Sequence, residues 1–160
     1  MSRYAKDTSV SVNDSKAEIE RIVERYGADG FMSAWSGDKA VVAFTMSGRH
    51  VRFVLTMPSK DAEEFHIYMR GSVRYQRDPE PARKLWEQAC RQRWRALALV
   101  IKAKIEAIES DISTFDDEFL AHIVMPDGKT VGEVTREKVA LAYSSGTMLP
   151  LLPDYSGKGE

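Results

Sequence analysis

The sequence predicts a single α+β domain over residues 1–160: a three-stranded antiparallel sheet covered by helices, in α-β-β-β-α order, with a C-terminal helix-hairpin-helix extension. Three observations predict it. Residues 31–57 divide into three β-rich runs at glycine turns, residues 80–110 carry an unbroken helical period, and a short amphipathic helix pattern precedes the strands. A chain of 160 residues is long enough to bury a core without disulfides or a structural metal.

Residues 1–12 are polar and aperiodic and read as a loose arm. The first helix is placed at 15–26. Ser15 and Glu18 have capping-box spacing, Ile19, Ile22, Val23 and Tyr26 share a face, and Gly27 suits the left-handed position after a helix. The strand runs 31–35, 40–46 and 51–57 are joined by Ser36-Gly37-Asp38-Lys39 and Ser47-Gly48-Arg49-His50, which supply the positive φ of tight hairpins. Val42, Phe44 and Met46 alternate with Ala43 and Thr45, and Val51, Phe53, Leu55 and Met57 alternate with Arg52 and Thr56, so one sheet face is buried and the other partly wet. Trp35, at a strand end, is expected to pack.

Pro58 ends the third strand, and residues 59–79 show no sustained period, which reads as a long basic loop. The helix at 80–110 follows. Trp86, Cys90, Trp94, Leu97, Ile101, Ile105 and Ile108 form one apolar stripe, while Leu85, Ala89, Ala96, Leu99, Ala103 and Ala107 form a second that suits another helix or a second subunit. Lys84, Arg91, Arg95 and Lys102 share the remaining angle, predicting an exposed basic seam. Thr114 before Asp116, Asp117 and Glu118 marks another helix start. Runs 122–125 and 130–134 flank the turn Pro126-Asp127-Gly128-Lys129 and predict a small hairpin, and Thr135 is placed as the cap of a helix at 136–145 ended by Gly146. Residues 147–160 read as an apolar, proline-punctuated tail.

Net charge is −1, yet residues 70–104 hold ten Lys/Arg against three Asp/Glu, whereas residues 105–160 hold four against eleven. Such a block bears on partners rather than on fold. Tyr68, Arg70, Arg74, Tyr75 and Arg77 in the loop, with His66 nearby, and Arg83, Lys84, Arg91, Arg95 and Lys102 on the helix combine phosphate-neutralising cations with rings that stack on unpaired bases. Nucleic acid, single- or double-stranded, is the partner this pattern points to. The same block equally suits pairing with acidic elements of the fold or with a host protein, and the second apolar stripe suits a homo-oligomer.

No catalytic constellation accompanies the block. His50, His66 and His122 lack metal-ligand spacing, Cys90 lies on the buried stripe, and consecutive Asp116, Asp117 and Glu118 diverge around a helix. Pro126-Asp127 has no E-x-K partner on a following strand, and nucleotide-loop, nucleophile-elbow and dinucleotide glycine motifs are missing. The reading is therefore non-enzymatic, with no cofactor or metal. No apolar run reaches about 18 residues and no apolar leader opens the chain, so a cytoplasmic protein without a membrane partner is expected.

The segments Ser11-Val-Asn-Asp-Ser-Lys-Ala-Glu-Ile-Glu-Arg21, 86–104 (Trp-Glu-Gln-Ala-Cys-Arg-Gln-Arg-Trp-Arg and onward) and Glu118-Phe-Leu-Ala-His-Ile-Val-Met-Pro-Asp-Gly-Lys-Thr-Val-Gly132 together resemble a recurrent family of small bacteriophage and prophage proteins. The likeness runs through most of the chain. It carries no assigned active site and so implies context alone: an infected bacterial cell, among genes of replication, recombination or counter-defence. The helix-strand-strand-strand-helix order is also similar, in topology, to double-stranded-RNA-binding domains, with Arg83-Lys84 and an arginine-rich run where those domains begin their second helix with lysines.

Overall fold

A computed structural model describes residues 5–152. Helix α1 (Val12–Arg25) starts earlier than its sequence signal: Ser11 is the cap, its Oγ accepting from the Asp14 amide at 3.0 Å. Ser15 instead lies fully buried on the helix's inner face. Two S-x-x-acid patterns follow one another here, Ser11–Asp14 and Ser15–Glu18, and the one preceding the whole apolar face wins. The described part of the expected arm, residues 5–11, is not free, since Gln88 donates from Nε2 to the Lys6 and Thr8 carbonyls, each at 3.0 Å.

Strands β1 (Gly30–Ser36), β2 (Lys39–Met46) and β3 (Arg49–Thr56) form the predicted antiparallel meander in the order β1-β2-β3. Gly37 at φ +59° and the pair Ser47 and Gly48 at +52° and +69° make the two-residue turns. Phe44 faces Val51 and Val42 faces Phe53, so the alternation of both strands puts these four side chains on one buried face. Trp35 is a correction: it lies 76% exposed at the outer end of β1, beyond the cover of the helices.

After β3 the segment expected as a loop is structured. A helical turn, α2 (Glu63–His66), leads into a second antiparallel pair, β4 (Ile67–Arg70) and β5 (Val73–Gln76). Helix α3 (Pro79–Glu109) then packs on α1 and the sheet, burying Cys90, Trp94, Leu97, Ile101 and Ile105 of the first stripe. Trp86, at the edge of that stripe, donates its indole N–H to the Pro58 carbonyl at 2.9 Å and ties the end of β3 to α3. The second stripe is not core; Leu85 and Ala103 are exposed.

Helix α4 (Phe115–Phe119) is capped by Thr114, whose Oγ1 accepts from the Asp117 amide. It drives Phe119 fully into the core, edge-on to Phe44 and Phe53 at 5.7 and 6.2 Å. A 3₁₀ turn (Leu120–His122) brings Ile123 beside Val51, at the edge of β3. The turn at 126–129 forms, but the expected second strand shrinks to one bridge, Val124 to Thr130. Thr130 rather than Thr135 caps the last helix, α5 (Val131–Ser145), through a full capping box with Glu133, and Gly146 closes it in the left-handed conformation. Residues 147–152 lie in no helix or strand, with Met148 and Leu152 exposed; the rest of the expected tail and residues 1–4 lie outside the described residues.

Candidate nucleic-acid interface

The β4–β5 hairpin turns at Gly71, whose φ of +62° suits glycine. Four-residue strands bury too little to stand alone, so the anchor matters. Phe65 of α2 is buried, the Arg77 amide donates to the His66 carbonyl at 2.6 Å, and Arg77 Nε donates to the Phe65 carbonyl at 3.0 Å. The register pairs Tyr68 with Tyr75 and Arg70 with Val73. Alternation therefore places Tyr68, Arg70, Val73, Tyr75 and Arg77 on one face, and Met69 and Arg74 on the other.

On the first face Tyr68 and Tyr75 stack at 5.5 Å with an interplanar angle of 21°. The Arg77 guanidinium lies 5.1 Å from the Tyr68 ring centre. Both tyrosines are 41% exposed, and no cation lies over the Tyr75 ring among the described residues. Arg70 has no hydrogen bond or ion pair among the described residues. Arg74 points the other way and pairs with Glu63.

The predicted helix seam is not one exposed strip. Arg83 bonds Glu80 and Glu87, at 3.0 and 2.7 Å, and Lys84 lies 3.7 Å from Glu80; the Arg83 guanidinium holds the Glu80 carboxyl below the usual range. Arg91 donates to the Gln88 side chain. Arg95 pairs with Glu18 of α1 and is only partly exposed. Lys102 is exposed and unpaired among the described residues. The physical reason is that α1 packs against the angle of α3 in which Arg91 and Arg95 lie, a neighbour that helical spacing alone does not reveal.

At the base of the hairpin a recess of about 260 Å³ is lined by Lys60, His66, Gln76, Arg77 and Arg83 with the first turn of α3. His66 Nε2 is 3.0 Å from the Lys60 carbonyl oxygen. Lys60 was missed from sequence because it sits alone after Pro58, outside the dense basic block; its ammonium lies 5.9 Å from the Trp86 ring centre. A second concavity of about 500 Å³ between β3 and α3 is mostly apolar, lined by Val54, Leu55, Ala89, Ala96 and Val100, with Glu64, Gln92 and Arg93 also in its lining.

Cys90 is buried, and burial raises its thiol pKa. Among the described residues no cluster of three or more His, Cys, Asp or Glu is gathered to hold a metal, and no helix is long and apolar enough to cross a membrane. Compared with protein-family models, curated proteins and solved structures, the chain finds no match in any of the three.

Proposed function

We propose that this protein is a non-enzymatic nucleic-acid-binding module whose ligand docks on the tyrosine face of the β4–β5 hairpin. One observation carries the reading: two stacked tyrosines share an exposed face with Arg70 and Arg77. A base stacks on the outer side of Tyr75, while Arg70, Arg77 and Lys60 neutralise the phosphates that follow. Stacking needs a base free of its complement, so single strands are favoured over duplex. The setting we propose for such a module, from the resemblance of its sequence to small phage proteins, is an infected bacterial cell, in replication or recombination.

The test is fluorescence anisotropy with labelled single-stranded and duplex oligonucleotides. Three phosphate contacts predict a log–log salt slope of about −2, so that affinity falls about 20-fold between about 50 and 200 mM salt. Absence of binding at the lower salt concentration contradicts the proposal.

A further inference from the structure

Strand β1 has β2 on one side and, among the described residues, no strand on the other. Its seven residues, Gly-Phe-Met-Ser-Ala-Trp-Ser, include no charge and no proline, and all except Phe31 are exposed. Met32 and Trp35 are 53% and 76% exposed. Edge strands that stay single are guarded by lysines, prolines or bulges; along the open side of β1 no such guard stands.

The β1–β2 turn is two residues long, so Ser36 and Lys39 are the hydrogen-bonded pair next to it. The amides of Gly30, Met32, Ala34 and Ser36 therefore face β2, and those of Phe31, Ser33 and Trp35 face the open side. We propose that this edge is a homodimer interface in which β1 of two copies pairs antiparallel about a two-fold axis at Ser33, joining the sheets into one of six strands. Only that register pairs all seven residues.

The sequence is self-complementary about Ser33. Trp35 falls opposite Phe31 of the second copy, Met32 opposite Ala34, Gly30 opposite Ser36, and the small Ser33 meets itself on the axis. Phe31, Ser33 and Trp35 are the residues whose free amides exchange hydrogen bonds, two per pair. Phe31 and Trp35 lie on the face that carries buried Phe44 and Ala40, their register partners in β2. Two aromatic cross-strand pairs thus cover the most exposed large apolar side chain of the sheet. A second copy, rather than an unrelated strand, is the partner for which this pattern matches on both sides. The inference is independent of the nucleic-acid reading.

The experiment is sedimentation equilibrium of the full chain up to about 100 µM, a range that detects micromolar association. The expected species has twice the 18.1 kDa mass of one chain. Ser33→Lys sets two like charges against each other at the axis of the interface and raises the dissociation constant about 100-fold or more, with circular dichroism unchanged because residue 33 is exposed. Ser33→Cys in a Cys90→Ala background crosslinks on oxidation, since Cα atoms of a hydrogen-bonded pair lie about 5.5 Å apart, within disulfide reach. A monomer at the highest concentration overturns the proposal. So does an oligomer that survives Ser33→Lys or fails to crosslink through Ser33→Cys, either of which assigns assembly to another surface, such as the groove between β3 and α3.

Discussion

Arg95 of α3 pairs with Glu18 of α1 across the interface of the two helices, the side chains 22% and 27% exposed. A cation so placed serves the fold before any ligand. Removing it leaves a carboxylate in a poorly solvated site, so Arg95→Ala is expected to cost about 1–3 kcal/mol in urea unfolding. The same variant should keep the wild-type salt slope in oligonucleotide titrations.

Thr130 and Glu133 satisfy each other at the start of α5: the Glu133 amide donates to Thr130 Oγ1 at 3.2 Å, and the Thr130 amide donates to the Glu133 carboxylate at 2.6 Å. Thr130→Ala should destabilise the fold by about 1 kcal/mol. The Thr130 amide, helped by Arg52, holds the Glu133 carboxyl below its ordinary 4.5. A lowered folded-state pKa gives stability that is present above that ordinary value and lost as pH falls below it. Melting temperatures across the acid range should fall less steeply in Glu133→Gln than in wild type.

His122 stacks on Phe53 with ring centres 3.9 Å apart. Burial first, and the Lys104 charge second, push its pKa below 6.5, against a hydrogen bond that its ring N–H donates to the Arg52 backbone carbonyl, which raises it. The unfolded chain therefore takes up this proton before the folded one. Stability from neutral His122 is complete above 6.5 and drains away as pH falls through that value. Urea midpoints measured about one unit either side of 6.5 should show the loss, and His122→Phe should flatten it.

Tyr75 is the member of the tyrosine stack with no cation over its ring among the described residues. Its replacement by Leu keeps a β-compatible side chain on an exposed strand and removes the aromatic face. Affinity for single strands should drop by about 1–3 kcal/mol with the salt slope unchanged, measured by anisotropy at fixed ionic strength.

The parts of the fold that depend on burial were legible in the sequence. The sheet and α3 announce themselves because Val42, Phe44, Val51 and Phe53 alternate, and Trp94, Leu97, Ile101 and Ile105 recur at helical spacing. The β4–β5 hairpin did not, because its strands are short and exposed on both faces, so no apolar alternation marks them. Its legible signal was Gly71 flanked by Tyr68 and Tyr75 in cross-strand positions. The start of α5 was hidden by Val131 and Val134, whose β-branching suggested a strand, although T-x-x-E at Thr130 and Glu133 was there to be read. Within the candidate site, spacing placed the cations correctly on α3, but only the neighbouring helix reveals that Arg95 is engaged by Glu18.

The most direct test is the salt dependence of single-strand binding in wild type and Arg70→Ala. Arg70 is exposed and without an ion pair among the described residues, so its loss leaves the fold intact. The log–log slope should become shallower by about 0.7, the share of one phosphate contact on a single strand. An identical slope in the two proteins contradicts the assignment of the hairpin as the nucleic-acid surface.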